Sequence, residues 1–179
     1  MSSRRLLLLL LFVAFAAKAE EVACKAMLAG TRALVDATVH GLLDSELLRI
    51  VKLGVTGKLT VQTQVVRRKR LWFGRVVAAS ARELPLTWSE ERGVFQLDGH
   101  AITDPEHVSL ERIVLPMGES EDPRAYEVEI TTRLVVVTPG SLGHVLGEND
   151  SALARTVLGA IASDLTRTAS STCAVAPRP

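Results

Sequence analysis

KLTVQTQVVRRKRLW, residues 58–72, decides the class of fold. Leu59, Val61, Thr63 and Val65 alternate with Lys58, Thr60, Gln62 and Gln64, the period of two that marks a half-buried strand. Continued to the end, the alternation sets Arg67, Lys69 and Leu71 on one side and Arg68, Arg70 and Trp72 on the other. A strand end charged on both faces has left the core. Phe73-Gly74 then reads as a turn, and Arg75 to Leu84 as a returning strand.

The same pattern extends outward from this stretch. Leu84, Leu86 and Trp88 alternate, Ser89 to Gly93 is a polar connection, and Val94, Phe95 and Leu97 complete a hairpin signal. The clearest strand lies at 125–138. Tyr126, Val128, Ile130, Thr132, Leu134 and Val136 face one side, while Glu127, Glu129, Thr131 and Arg133 face the other. Val135 and Val137 make its far end apolar on both faces, as expected where a strand is covered twice. Residues 25–33 have no clean period, and Arg32 to Leu43 holds a first strand.

Three helices are expected between the strands. Asp44-Ser45-Glu46 opens one, with Leu47, Leu48 and Val51 on its apolar side and Gly54 as its stop. Thr103-Asp104-Pro105-Glu106 has the capping pattern of a second, burying Leu110, Ile113 and Val114. Asn149-Asp150 caps a third, with Leu153, Val157, Leu158, Ile161 and Leu165 along one side. The expectation is an α+β or mostly β fold: a twisted antiparallel sheet or sandwich with two or three flanking short helices. No internal repeat or linker divides the chain, so residues 20–168 read as one domain. Residues 169–179 read as a C-terminal tail.

Residues 1–19 stand apart. Arg4-Arg5 is a positive start, Leu6 to Ala17 is unbroken apolar sequence, and Ala17-Lys18-Ala19 offers small residues before a cut. This is the layout of a secretory signal peptide, with an apolar run too short for an ordinary span. An uncleaved anchor and a twin-arginine export signal are the alternatives. The precursor has 21 basic and 20 acidic residues. The leader takes Arg4, Arg5 and Lys18 with it, so the mature chain holds 18 against 20, a net charge of −2. An exported, mildly acidic chain lacks the positive field that phosphate binding needs, which argues against nucleic acid. No stretch after residue 19 is long and apolar enough to span a membrane.

Cys24 and Cys173 are the two cysteines and sit near opposite ends of the mature chain. In an oxidising compartment such a pair suggests one disulfide. Two free thiols are one alternative. A lipidated Cys24 is another, and Glu21 stands where a lipoprotein signal wants an aliphatic side chain.

Gly54, LTVQTQV, RRKRLW, RVVAASARELPLTW and GVFQL follow one another from residue 54 to Asp98. In that order they resemble bacterial exported proteins of domain-of-unknown-function family 4390. The resemblance covers the middle of the chain, to about residue 138. It implies an envelope-exposed, β-rich domain and no catalytic residues.

Three constellations offer chemistry. Arg67, Arg68, Lys69, Arg70 and Trp72 form either a solvated strand end or a docking patch for an acidic envelope partner or an anionic membrane surface. His100, Asp104 and His107, with Asp98 and Glu106 nearby, bring imidazoles and carboxylates together, although the spacing matches no strong metal motif. Gly140-Ser141-Leu142-Gly143 is one residue short of a nucleophile elbow and serves better as strand-ending punctuation. No cofactor motif is present. The expected function is therefore a non-enzymatic periplasmic or extracellular domain acting through protein or lipid contact. The alternatives are a hydrolase or metal-dependent enzyme built on the His100/His107 region, and a carrier for an apolar ligand.

Overall fold

A computed structural model describes residues 20–69, 72–117, 122–136 and 165–177. The chain is mostly β, with one α-helix among these residues. The strands are β1 (Glu21–Ala29), β2 (Arg32–His40), β3 (Gly57–Lys69), β4 (Trp72–Ser89), β5 (Val94–Leu97), β6 (His100–Ala101), β7 (His107–Ser109), β8 (Ile113–Pro116), β9 (Tyr126–Val135) and β10 (Thr166–Ala176). They form one curled sheet in the order β6-β5-β4-β3-β9-β10-β1-β2-β7, with β8 also paired to β2. Neighbours are antiparallel except β1 and β10, which run parallel.

Alternation builds the core. Leu59, Val61, Thr63 and Val65 of β3 are buried beside Leu134, Thr132, Ile130 and Val128 of β9, residue for residue in register. Ala33, Val35, Ala37 and Val39 of β2 line the same interior with Val22 and Ala26 of β1. Thr132 is polar and fully buried, and its hydroxyl donates to the Ala169 carbonyl at 3.2 Å, which removes the cost of an unmet donor. The outer face carries Lys58, Gln62, Glu129, Arg133, Ser170 and Thr172 in the exposed positions. No helix among the described residues is long and apolar enough to cross a membrane.

Helix α1 (Ser45–Lys52) forms where its sequence asks for it. The Asp44 carboxylate caps it by accepting from the Glu46 and Leu47 amides at 3.0 and 2.8 Å, and Leu47 and Val51 are buried. The same carboxylate accepts from Arg167 of β10 at 2.8 Å, and Arg167 also pairs with Glu20. One arginine thus fastens the helix and the start of β1 to the sheet.

Three expectations are corrected. Residues 169–176, read as a tail, belong to β10, a central strand between β9 and β1. Its contrast is faint because mostly Thr, Ser and Ala occupy it, and only Ala169 and Val175 are fully buried. Phe73-Gly74 is no turn: it lies inside β4, and the chain reverses between Lys69 and Trp72, which pair across the hairpin. Gly74 is needed because a Cβ there would collide with Val66 Cγ1 beside the irregular pairing at Val65/Val66.

The helix expected from Thr103 is a single turn followed by β7 and β8. Asp104 does accept the Glu106 amide, at 2.9 Å, but Val108, Ile113, Leu115 and Met117 are buried beside exposed Ser109, Val114 and Pro116, a strand pattern. The docking of β7 and β8 on the edge of β2 overrides the capping signal. Among the described residues one α-helix and a short 3₁₀ turn (Pro123–Ala125) flank the sheet, and the helix expected from Asn149 lies outside them.

Cys24 and Cys173 are bonded. They occupy the same level of β1 and β10, one step below the Ala26–Val175 pair, with Cα atoms 6.0 Å apart.

Candidate ligand cleft

The sheet curls until its two ends face each other. β4 and β8 come within 8 Å between Cα atoms, yet among the described residues no backbone ladder joins them. A cleft of about 240 Å³ opens at this seam. Val61, Leu84, Leu97 and Ile113 make its floor, while Arg82, Asp98, His100, Asp104, His107 and Glu111 ring its mouth. Beneath it lies a void of about 10 Å³, lined by leucine and valine alone, that shares Leu97 and Val108 with the cleft. An apolar floor under a polar rim is the usual make-up of a small-molecule site, here slightly below the ordinary size range.

Local sequence explains how each wall is held. Asp98 and Gly99 take positive φ, 50° and 79°, and make the tight turn that folds β6 back on β5. The chain then crosses the seam through Ile102 to Glu106 and returns as β7 along β2, where His107 sits opposite His40. The two rings meet edge-on, with centroids 4.9 Å apart. His107 Nδ1 lies 2.8 Å from Asp104 Oδ2. That contact, with the Glu106 amide second, holds the Asp104 carboxyl below its ordinary range. Next to Glu111 in the chain, Arg112 grips Asp36 of β2 through two hydrogen bonds, 2.7 and 3.0 Å, which lowers the Asp36 pKa.

Arg82 is the unexpected residue. It stands opposite Val61 in the ladder, so it shares the inward face of β4 with Ser80, Leu84 and Leu86. Its Nη1 lies 3.8 Å from Glu111 Oε2, and Glu111 Oε1 lies 3.4 Å from His100 Nε2. Between β4 and β8 it is side chains that span the seam: Glu111 stands across from Arg82 of β4 and His100 of β6.

The residues singled out from sequence divide between two places. His100, Asp104 and His107 all line the cleft, but among the described residues no three His, Cys, Asp or Glu side chains gather as a metal ion needs. Arg67 and Arg68 lie exposed at the far end of the β3–β4 hairpin, where Lys69 pairs with Trp72. Arg68 is ion-paired to Glu127, and the Arg67 guanidinium sits 5.9 Å from the Tyr126 ring centroid. Arg70 and the side chains of Lys69 and Trp72 lie outside the described residues, as do Ser141 and its glycines. From Trp72 to Arg82 the strand runs about 30 Å, so patch and cleft are separate surfaces. Arg82 and Glu111 went unnoticed in the sequence, although counting back by twos from Leu86 would have put Arg82 on the inner face.

No family model, no curated protein and no solved structure matches this chain.

Proposed function

We propose that the protein is an exported, non-enzymatic binding domain that acts through lipid contact, its seam cleft receiving the apolar part of a small amphiphile. The observation that carries this reading is the seam between β4 and β8, unladdered among the described residues, where half-buried Leu84 and Leu97 line a cleft over buried Val61 and Ile113. Apolar surface left open in a concave site is the common mark of a ligand seat. The bonded cysteines and the leader-like residues 1–19 favour a periplasmic or extracellular address. The resemblance between Gly54 and Asp98 leads the same way, to an envelope domain without catalytic residues.

Native mass spectrometry of the protein purified from its own cell envelope tests the reading. An apolar adduct is expected, and Ser109→Trp, an exposed change at the cleft wall, should strip it. A bare mass, or an adduct indifferent to the substitution, would sink the proposal.

A second reading rests on the hairpin end, where Arg67 and Arg68 are exposed and Lys69, Arg70 and Trp72 follow in sequence. It would dock on an anionic membrane surface or an acidic partner. Flotation with phosphatidylglycerol vesicles decides: equal binding after charge reversal of residues 67–70 retires the patch.

A further inference from the structure

We infer that the cleft selects an amphiphile with a carboxylate head, and that Arg82 is the residue that reads it; this rests on the ligand-binding reading above. Arg82 is a charged side chain at an inward register position, on a face otherwise given to Ser80, Leu84 and Leu86. Its side chain is 47 % exposed, so the guanidinium stands at the rim of the cleft, in reach of solvent. Among the described residues its ionic partner is Glu111, and 3.8 Å is beyond hydrogen-bonding distance. The fork of N–H donors therefore faces an apolar-floored cleft without a bidentate acceptor.

Glu111 shows where a carboxylate goes. It comes from the segment between β7 and β8, its side chain is 69 % exposed, and it already has a second neighbour in His100 at 3.4 Å. A ligand carboxylate entering from solvent would take the guanidinium bidentately, and Glu111 would remain with His100. The hydrocarbon of the ligand would then run down past Leu84 toward Val61 and Leu97. Of the remaining acids at the mouth, Asp104 is engaged by His107 at 2.8 Å, and Asp98 stands on the β5–β6 turn. The cleft has room for about eight water molecules at ~30 Å³ each, so it suits one short chain or the head end of a longer one.

Calorimetric titration of the purified protein with octanoate, octanol and octylamine at neutral pH separates the possibilities. Octanoate should bind at least tenfold more tightly than either of the others, the advantage of a charge-assisted fork over a neutral contact. Arg82→Gln should bring octanoate down to the level of octanol without changing octanol binding or the melting temperature. Glu111→Gln should tighten octanoate several-fold, because it removes the internal competitor. If the pair were merely structural, Glu111→Gln would leave octanoate unchanged or weaken it, and that result overturns the inference. Octanol bound as well as octanoate defeats the head-group assignment but leaves the cleft a ligand site. Failure of all three to bind defeats both.

Discussion

Where β1 meets β10, two aligned cysteines are bonded; where β4 meets β8, a glutamate stands between an arginine and a histidine. Both places lack the long ladders that hold the centre of the sheet. β1 and β10 share a parallel ladder of only two register pairs, and β4 and β8 share none among the described residues. By contrast β3 is zipped to β9 over ten consecutive pairs. The first weak joint is stapled by a covalent bond between residues 149 apart in sequence. The second is bridged by exposed side chains worth little as ion pairs. One joint is closed by a covalent bond; the other is left to side chains.

The staple should therefore show the larger effect. In the chain-entropy account, a loop of this length contributes about 5 kcal/mol. Reduction, or the double change Cys24→Ala with Cys173→Ala, is expected to lower the melting temperature by roughly 10–20 °C for a domain of this size. An unchanged melting curve under reductant would show that the two-pair parallel joint holds unaided. On the seam side, Leu115→Ala comes next. Leu115 is fully buried on β8, and its truncation should cost about 2–4 kcal/mol in a chemical denaturation series. A loss as large as that from breaking the disulfide would reverse the ranking of the two joints.

That ranking could not have been read from the chain, although much of the fold could. The alternations at 58–65 and 126–134 placed β3, β9 and their buried faces, because apolar and polar residues there differ sharply. β10 was invisible: threonine, serine and alanine give little contrast, and neighbours on both sides make it a strand. Gly74 misled because glycine punctuates turns more often than it admits a valine methyl. The Thr103–Glu106 capping signal was real but local, and pairing with β2 outweighed it. At the site, His100, Asp104 and His107 stood out because they are close in sequence. Arg82 and Glu111 join them only through the curl of the sheet, which no local pattern encodes.

Acid should probe the seam, and with the smallest effect. The disulfide between β1 and β10 does not titrate. Asp36 and Asp104, which tie down the seam-side chain through Arg112 and His107, both have pKa values below the ordinary 3.8. Each carboxyl therefore binds a proton less readily folded than unfolded. Its stabilisation is complete above about pH 5 and is lost as pH falls through 3.8 and below. The Asp36–Arg112 pair is more than one-third exposed, so solvent screening keeps its share small. Asp36→Asn should accordingly flatten the change in denaturation midpoint between pH 7 and pH 3.5 without altering the response to reductant. Amide-exchange protection gives the local version of the test. At pH 3.5 the amides of Leu110 and Met117, which bond to Ala37 and Thr31, should lose protection before those linking β9 to β10. Equal loss at both would mean that the sheet opens as one unit and that the two joints are not independent.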